Sequence, residues 1–287
     1  MIPPSFDYHV PRSVGEAVTL LTQLGDDAKL LAGGHSLLPM MKLRFAEPAA
    51  LIDLNRIEEL RGVREEGGRV RIGAMTTENQ LIASALLRDK VPLLAEAARQ
   101  IADPQVRNRG TIGGDIAHGD PANDHPAIAL ALDASFELTG PRGEREVRAS
   151  DFFLGTFMTA LAADEILTAI LVEPFAPNTG YAYAKLKRKT GDWATAAAAV
   201  VLRLNGGQVA MVRIGLTNVA PTALRASAVE AYLTGRTLDA ATLEQAAQMV
   251  RTLVSPAADL RGDEEYKTAM AGEMTRRALE QAAARCA

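Results

Sequence analysis

The sequence predicts an α+β fold of two α/β lobes, at residues 1–75 and 76–177, followed by a small C-terminal α+β domain at residues 178–287. Three observations support this prediction. Strand patterns and capped helices share the N-terminal region, strand-like segments follow one another in the middle, and Ala- and Leu-rich helical patterns dominate after Pro221. Successive strands are typical of antiparallel sheets and not of a doubly wound fold, in which strands and helices alternate.

Composition restricts the class of protein. The chain has 287 residues, of which 48% are hydrophobic, so it can bury more than one core. A formal net charge of −4, with both signs mixed along the chain, argues against a polyanion such as nucleic acid as the partner. The single cysteine, Cys286, excludes an intrachain disulfide and any cysteine-ligated zinc or iron–sulfur site within this chain.

The sequence shows no targeting or membrane-spanning pattern. The N-terminal segment "MIPPSFDYHVPRS" lacks the basic flank and apolar core of a secretory signal. No run approaches the roughly 20 apolar residues that are needed to span a bilayer. We therefore expect a soluble protein of a reducing compartment, the cytoplasm.

Capping boxes and short apolar runs define the two lobes. Ser13-Val-Gly-Glu16 begins a helix that Gly25 ends, and Thr77-Glu-Asn-Gln80 begins the helices of the second lobe, "QLIASALLRD" and "VPLLAEAARQI". Apolar segments bounded by turn residues predict three strands in the first lobe, "AKLLA", "ALIDL" and "RVRIGA".

Six further strand patterns indicate antiparallel pairing. They are "SFELTG", "REVRA", "EILTAILV", "YAYAKLK", "AAAAVVLRL" and "QVAMVRIGLTNVA". The last three, with a hairpin signal at Asn205-Gly206, form the predicted three-stranded antiparallel sheet of the C-terminal domain. The helical patterns "ALRASAVEAYLTG", "DAATLEQAAQMVRTLV" and "EEYKTAMAGEMTRRALEQAAARCA" complete that domain.

Two glycine pairs stand out, in "LLAGGHSLLPMMK" (30–42) and in "RGTIGGDIAHGDPANDHPA" (109–127). Glycine allows backbone amides to converge on an anion without obstruction by a Cβ atom. The first pair offers the amides of residues 33–36, the Ser36 hydroxyl and the start of a helix, and the second offers residues 111–115 with the Thr111 hydroxyl. Two such clusters predict a diphosphate that is bound from both sides, as in a dinucleotide.

The alternative is that each glycine pair is only a tight turn. Neither segment has the G-x-G-x-x-G pattern, and no G-x-x-x-x-G-K-[ST] occurs in the chain. Ordinary Rossmann and P-loop interpretations therefore have no support.

The two glycine segments also carry a resemblance to a known family. "AGGHSLLPMMKLR" and "RNRGTIGGDIAHGDPANDHPAIALALDA" resemble the paired FAD-binding signatures of the flavoprotein subunits of molybdenum hydroxylases, the xanthine dehydrogenase family. The similarity continues through "YAYAKLKRKTGDWATAAAAVVL", "RIGLTNVAPTALRA" and "DLRGDEEYKTAMAGEMTRRAL" and covers nearly the whole chain. Within the family, "MIPPSFDYHVPRSVGEAV", "GAMTTEN" and "KLKRKTGDWATAAAAVV" are most similar to the medium, FAD-binding subunits of aerobic molybdenum–copper carbon monoxide dehydrogenases.

The resemblance implies a vanillyl-alcohol-oxidase-like FAD-binding fold and a set of cofactor contacts. Two motifs are implied to hold the pyrophosphate, and single positions elsewhere are implied to contact the rest of the cofactor. The implied residues are Ala32, Gly33, Gly34, His35 and Ser36; Thr111, Ile112, Gly113, Gly114 and Asp115; and Ile101, Asp124, Leu167, Lys185 and Trp193. No catalytic or metal-binding residue is implied in this chain.

Trp193 departs from the family pattern, because many relatives carry tyrosine before the "AT" that follows it here. Either ring can pack beside an isoalloxazine, but indole has an N–H donor and no hydroxyl. The potential of the flavin, or the access of its electron acceptor, is then expected to differ. The alternative is a tryptophan that fills the core.

Two further clusters have alternative interpretations. Three histidines (His35, His118 and His125) and three aspartates (Asp115, Asp120 and Asp124) allow a metal site, but no ligand spacing such as H-x-x-x-H supports one, and "HGDPANDHP" is predicted to be a loop beside the cofactor. The basic run "KLKRK" (185–189) is either a solvated strand edge, or it divides between Lys185 near FAD and the later residues facing a partner subunit or an anionic acceptor.

The resemblance implies that the chain is the FAD-carrying electron-transfer subunit of a dimer of heterotrimers. A large subunit with a molybdenum–copper cofactor would oxidise carbon monoxide with water to carbon dioxide, and two two-iron two-sulfur clusters of a small subunit would pass electrons to FAD and on to quinone. The implied location is the cytoplasm, with peripheral binding at the inner face of the cytoplasmic membrane as a variant.

Three other functions stay open from the sequence. They are a free-standing FAD-dependent oxidase, a flavoprotein subunit of a related hydroxylase acting on aldehydes or N-heterocycles, and a nucleotide-binding or assembly module without redox work.

Overall fold

The computed structural model describes residues 2–286. Its N-terminal part contains β1 Asp7–His9, α1 Val14–Leu24, β2 Ala28–Leu31, α2 Leu37–Lys42 and β3 Ala50–Asp53. The three strands form a parallel sheet in the order β1-β3-β2. The segment that carries the first glycine pair, residues 32–36, leaves the sheet at the end of β2 and leads into α2.

Helix α1 begins as predicted, because the Ser13 hydroxyl accepts a hydrogen bond from the Glu16 amide at 3.1 Å. The Glu16 carboxylate accepts from the Arg12 amide at 2.7 Å and not from Ser13, so only half of the predicted capping box forms. Ala17 and Leu21 lie on the buried face of α1, which packs against β2 and β3.

Six helices follow along the chain, and the fifth of them contains the second glycine pair. They are α3 Glu78–Ala83, α4 Ala85–Lys90, α5 Pro92–Ala98, α6 Pro104–Arg107, α7 Ile112–His118 and α8 Asp124–Leu132. The predicted capping box at Thr77 and Gln80 forms completely. The loop predicted for "HGDPANDHP" covers only residues 119–123, because α7 extends to His118 and α8 begins at Asp124.

The second sheet has five antiparallel strands. Its strands are β4 Val63–Glu66, β5 Arg69–Gly73, β6 Ser135–Gly140, β7 Gly143–Arg148 and β10 Ile166–Val172, in the order β4-β5-β10-β6-β7. Between β7 and β10 lie α9 Ala149–Phe152 and a small hairpin of β8 Phe153–Gly155 and β9 Met158–Thr159.

The second sheet crosses a predicted lobe boundary. Strands β4 and β5 belong to the predicted lobe 1–75, yet β5 pairs with β10 of the predicted lobe 76–177. Val70 and Ile72 of β5 are buried in the same core as Phe136 of β6, and this shared burial joins the hairpin to the second sheet. The division into three lobes otherwise stays a prediction.

The third sheet has four strands and not the predicted three. It contains β11 Thr179–Leu186, β12 Ala196–Asn205, β13 Gln208–Thr217 and the two-residue strand β14 Leu224–Arg225, in sequential antiparallel order. The fourth strand forms because the chain turns back after β13, so that Leu224 pairs with Leu216. The predicted hairpin forms, but its turn residues are Gly206 and Gly207, both with positive φ, one position later than predicted.

Three helices complete the C-terminal part, α10 Ser227–Leu233, α11 Ala240–Leu253 and α12 Glu264–Ala283. Helix α12 packs on β11 and β12 and against α11, over a separate apolar core. The predicted α+β class is confirmed by this content of helices and strands. Across residues 2–286, none of the helices combines the length and the apolarity that a membrane crossing requires.

Candidate functional site

The two glycine segments, which are far apart in the sequence, lie against each other. A Cβ atom on Gly33 would overlap the carbonyl oxygen of Arg109 and lie 3.0 Å from the Cα of Gly110. A Cβ atom on Gly114 would lie 3.3 Å from the Cβ of Ala32. Only a residue without a side chain permits this approach at position 33. The structure therefore brings both predicted segments to one place.

The first segment presents backbone donors. Gly34 has a φ of +79°, and the amides of residues 33–36 form no hydrogen bond with another group of residues 2–286. His35 and Ser36 are exposed, and α2 begins directly after Ser36. Successive amides without protein acceptors beside a glycine of positive φ can bind an anion. This half of the predicted pair therefore has the donors that a diphosphate needs.

The second segment differs from the prediction. The amides of residues 112–115 already donate within the protein, to oxygens of Thr76, Ala74 and Thr111 at 2.9–3.3 Å. They are not available to an anion, so a second amide cluster of the predicted kind does not form. Close packing explains the glycines instead, because a Cβ atom on Gly113 would overlap Ala74.

A buried ion pair lies behind the second segment. Nε2 of His125, on α8, lies 2.9 and 3.0 Å from the carboxylate oxygens of Glu78, on α3. The Asp115 carboxylate accepts from the His125 amide at 3.3 Å. Burial alone would lower the pKa of His125, but the carboxylates of Glu78, Asp115 and Asp124 raise it to about 9. For Asp115 burial has the opposite effect and raises the pKa of the carboxyl group to about 7.

The raised pKa of His125 predicts a loss of stability in alkaline solution. A group with a raised folded-state pKa stabilises fully below its unfolded pKa of 6.5, and this stabilisation is lost as the pH rises through about 9. As the pH rises from 7 to 10, we expect the stabilising contribution of His125 to the free energy of unfolding to fall by about 2–3 kcal/mol. Urea unfolding of wild type and His125→Gln across this range measures the difference in slope.

The matched control for that measurement is His118→Gln. Burial lowers the pKa of His118, so its titration lies below the range of the experiment. The control should keep the wild-type slope between pH 7 and 10. Equal slopes in wild type and His125→Gln would show that His125 is not the titrating group.

Asp124, the first residue of α8, binds Lys185 of β11. The distance from Lys185 Nζ to Asp124 Oδ2 is 2.7 Å, and the two side chains are 1% and 6% exposed. The Tyr183 hydroxyl donates to the other oxygen of Asp124, and Lys185 Nζ lies 3.4 Å from the carbonyl of Gln100, the neighbour of Ile101. Three predicted positions, 101, 124 and 185, are therefore brought together. The interpretation of Lys185 as part of a solvated edge is wrong.

Trp193 lies in the loop between β11 and β12 and is 49% exposed. The alternative of a core-filling tryptophan is therefore wrong. A Cβ atom on Gly191, in the same loop, would lie 3.8 Å from the Asp103 side chain, so the loop reaches the segment that follows Ile101. Leu167, by contrast, is buried in the core on β10, the strand against which α7 packs.

The three histidines near the glycine segments are separated from one another. His35 is exposed, the His118 ring lies 5.0 Å from that of Phe157, and His125 pairs with Glu78. In the part of the chain that the structure describes, no three His, Cys, Asp or Glu side chains are grouped so that they could hold a metal ion.

Sequence reasoning missed several residues that organise the site. They are Glu78, Gln100, Tyr183, Asp192 and Arg261. Glu78 lies inside the capping box of Thr77 and Gln80, and Arg261 lies in the segment 259–279, which carries part of the family resemblance. Their partners are distant in sequence, and no spacing rule connects them.

Comparison with known proteins decides the family. Residues 4–174 match the family profile described as the FAD binding domain in molybdopterin dehydrogenase. Residues 181–282 match the profile of the CO dehydrogenase flavoprotein C-terminal domain. The chain belongs to the flavoprotein subunits of the molybdenum hydroxylase family.

Similarity within the molybdenum hydroxylase flavoproteins extends over the full length. The carbon monoxide dehydrogenase medium chain of Hydrogenophaga pseudoflava is 63% identical over 100% of both chains, and that of Afipia carboxidovorans is 53% identical over 99% of both. A solved structure of the Hydrogenophaga pseudoflava carbon monoxide dehydrogenase, one that lacks the Mo-pyranopterin moiety, gives a TM-score of 0.99 at 65% identity over 100% of both chains. The resemblance seen in the sequence is confirmed.

The residues of this molybdenum hydroxylase flavoprotein fit FAD at the first glycine segment. FAD contains a diphosphate, and residues 33–36 offer four amides without a protein acceptor, in a segment whose Gly33 packs so closely on the Arg109 backbone that a Cβ atom has no room. The match to an FAD-binding domain over residues 4–174 includes this segment.

Proposed function

We propose that this chain is the FAD-carrying electron-transfer subunit of a carbon monoxide dehydrogenase. It receives electrons from iron–sulfur clusters of a small partner subunit and delivers them to a quinone-type acceptor. A large partner subunit with the molybdenum–copper cofactor oxidises carbon monoxide, and two heterotrimers form the complex. Because quinones dissolve in membranes, the complex works at the inner face of the cytoplasmic membrane. Full-length similarity to two carbon monoxide dehydrogenase medium chains supports this proposal.

The proposed placement of the cofactor rests on one observation, which is the close approach of Gly33 to the backbone of Arg109 and Gly110. In the proposal, Ala32–Ser36 bind the diphosphate through their amides, and Thr111–Asp115 form the wall against which that segment packs. Ile101, Asp124 and Lys185 lie together on the side of β11. Trp193 would contact the flavin from the following loop, and Leu167 is buried on β10, the strand against which α7 packs.

When bound, FAD supplies an isoalloxazine ring that accepts and releases electrons. The work of the protein is to bind and orient it. The amides of residues 33–36 would donate hydrogen bonds to the diphosphate oxygens and so stabilise their negative charge. The buried Lys185–Asp124 pair places a fixed positive group with its counter-charge beside Ile101. The Thr111 hydroxyl caps α7 and holds the second segment in place.

The intact complex, purified through a tagged copy of this chain, tests the function. We expect bound FAD, iron and molybdenum, and reduction of a quinone that depends on carbon monoxide. Oxidation of an aldehyde or an N-heterocycle, without oxidation of carbon monoxide, would instead indicate a related hydroxylase. A yellow chain without partners that turns over a substrate by itself would indicate an oxidase. A colourless chain that takes up no FAD would indicate an assembly module.

A further inference from the structure

A turn of the C-terminal part contacts the loop that carries Trp193. The Asp192 carboxylate accepts from the Trp193 amide at 2.9 Å and from Arg261 Nε at 3.0 Å, and its second oxygen accepts from Arg188 Nε at 2.9 Å. The Asp192 side chain is 4% exposed and that of Arg261 14%, whereas the Arg188 side chain is 43% exposed, so the contact with Arg261 is the better shielded from water. The guanidinium carbon of Arg261 lies 5.3 Å from the centroid of the Trp193 ring.

Arg261 is itself held in place. Asp259 accepts from the Arg261 amide at 2.7 Å and from the Arg261 guanidinium at 3.2 Å. The same carboxylate lies 3.0 Å from Nζ of Lys267, a buried residue of α12 that also donates to the Ala257 carbonyl at 2.8 Å. Asp259 and Gly262 exchange two backbone hydrogen bonds that close the turn. These contacts within its own turn therefore hold Arg261 in place independently of its contact with the Trp193 loop.

We propose that Arg261, together with Asp192, is a positioning residue that fixes the orientation of the Trp193 indole at the cofactor site. The planar guanidinium of Arg261 lies over the Trp193 ring, and its Nε donates to the carboxylate of Asp192, which also accepts from the Trp193 amide. One side chain therefore holds both the backbone and the ring of Trp193. About half of the Trp193 surface stays exposed and can receive a flat partner. The significance for FAD rests on the proposed function.

Asp192 has a second cationic partner, Arg188, which makes no cation–π contact with the ring among residues 2–286, and this separates two explanations. Arg188 binds Asp192 and also donates to the Leu260 carbonyl at 2.9 Å. If charge on Asp192 alone ordered the loop, loss of Arg188 and loss of Arg261 would have similar effects. If the contact with the ring matters, the effect of Arg261 is the larger one.

The chain has a single tryptophan, so its emission reports on Trp193 alone. We expect Arg261→Gln to raise acrylamide quenching of the full chain by up to about twofold, because the ring is already 49% exposed, and to lower the emission anisotropy. Arg261→Lys should fall between this variant and wild type, because ammonium keeps the charge and loses the planar fork. Trp193→Phe supplies the blank, and thermal unfolding of each variant checks that it is folded.

Two control variants complete the series. Arg188→Gln removes a partner of Asp192, and Arg236→Gln removes a contact of the same kind over Tyr232, at 4.5 Å and elsewhere in the chain. We expect Arg188→Gln to have a smaller effect than Arg261→Gln, and Arg236→Gln to match wild type. Quenching and anisotropy of Arg261→Gln equal to those of Arg236→Gln would overturn the positioning role.

Addition of FAD distinguishes failure of this proposal from failure of the proposed function. Where FAD binds beside Trp193, it quenches the indole emission of the wild type, and Arg261→Gln should weaken that quenching. FAD that binds without quenching would overturn the placement of Trp193 beside the flavin. The acrylamide and anisotropy results would still decide whether Arg261 orients the ring.

Discussion

Gly33→Ala is expected to remove most of the FAD from the purified complex. A Cβ atom at this position would overlap the Arg109 carbonyl oxygen, so the first glycine segment must move away from residues 109–110. Added atoms in a close-packed contact cost about 1–3 kcal/mol, or about 5- to 150-fold in affinity where the cost falls on FAD binding. Gly33 does not have a positive φ, so steric overlap and not backbone strain is the cause.

Gly114→Ala should have a smaller effect at the same site. Its Cβ atom would lie 2.8 Å from Thr111 Oγ1 and 3.3 Å from Ala32 Cβ. The hydroxyl can turn away at the cost of the cap that it gives to the Gly114 amide, whereas the backbone oxygen that opposes Gly33 cannot. The ranking of the two variants therefore tests the geometry more sharply than either variant alone.

The FAD-to-protein ratio after gel filtration measures both effects, with thermal unfolding as a check on folding. Gly15→Ala is the matched control, because Gly15 lies in α1 and a Cβ atom there would meet nothing within 4 Å. This control should retain FAD and gain slightly in stability, since alanine favours a helix. Equal FAD content in Gly33→Ala and Gly15→Ala would contradict a cofactor site at the first segment.

Local patterns were sufficient for most elements and for the two glycine segments. Ser13 and Thr77 begin helices because their side chains accept amides within three residues, a distance that a sequence shows directly. The sequence does not predict helix α8, because the helix is buried on all sides and so has no polar face to give a helical period. The pairing of β5 with β10 was missed because strand partners distant in sequence leave no local signal.

The use of the amides in the second segment could not be predicted from the sequence. A Gly-Gly pair after a threonine is compatible with an anion site and equally with a helix that starts against another backbone. The choice depends on the carbonyls of Ala74 and Thr76, which lie where the Gly113 and Ile112 amides point. Those carbonyls belong to a different stretch of the chain, so tertiary structure and not composition decides the role of the glycines.

Asp124→Ala is expected to have the largest effect on stability, a loss of about 3–5 kcal/mol in the free energy of unfolding. The substitution leaves the Lys185 ammonium, whose side chain is 1% exposed, with the Gln100 carbonyl at 3.4 Å as its remaining acceptor. It also leaves the Tyr183 hydroxyl without its acceptor on Asp124. Urea unfolding at constant pH measures the loss, and a change below about 1 kcal/mol would contradict the burial of this pair.

The double variant Asp124→Leu with Lys185→Met separates the structural role of the pair from its proposed role at the cofactor. Apolar side chains of similar volume avoid the cost of a buried charge, so the double variant should recover to within about 2 kcal/mol of wild type. If Asp124 and Lys185 contact FAD, this stable protein will still bind FAD poorly, because no charged or hydrogen-bonding group is left at either position. Normal FAD retention in the folded double variant would mean that the pair only joins α8 to β11, and that binding depends on the glycine segment and the Trp193 loop.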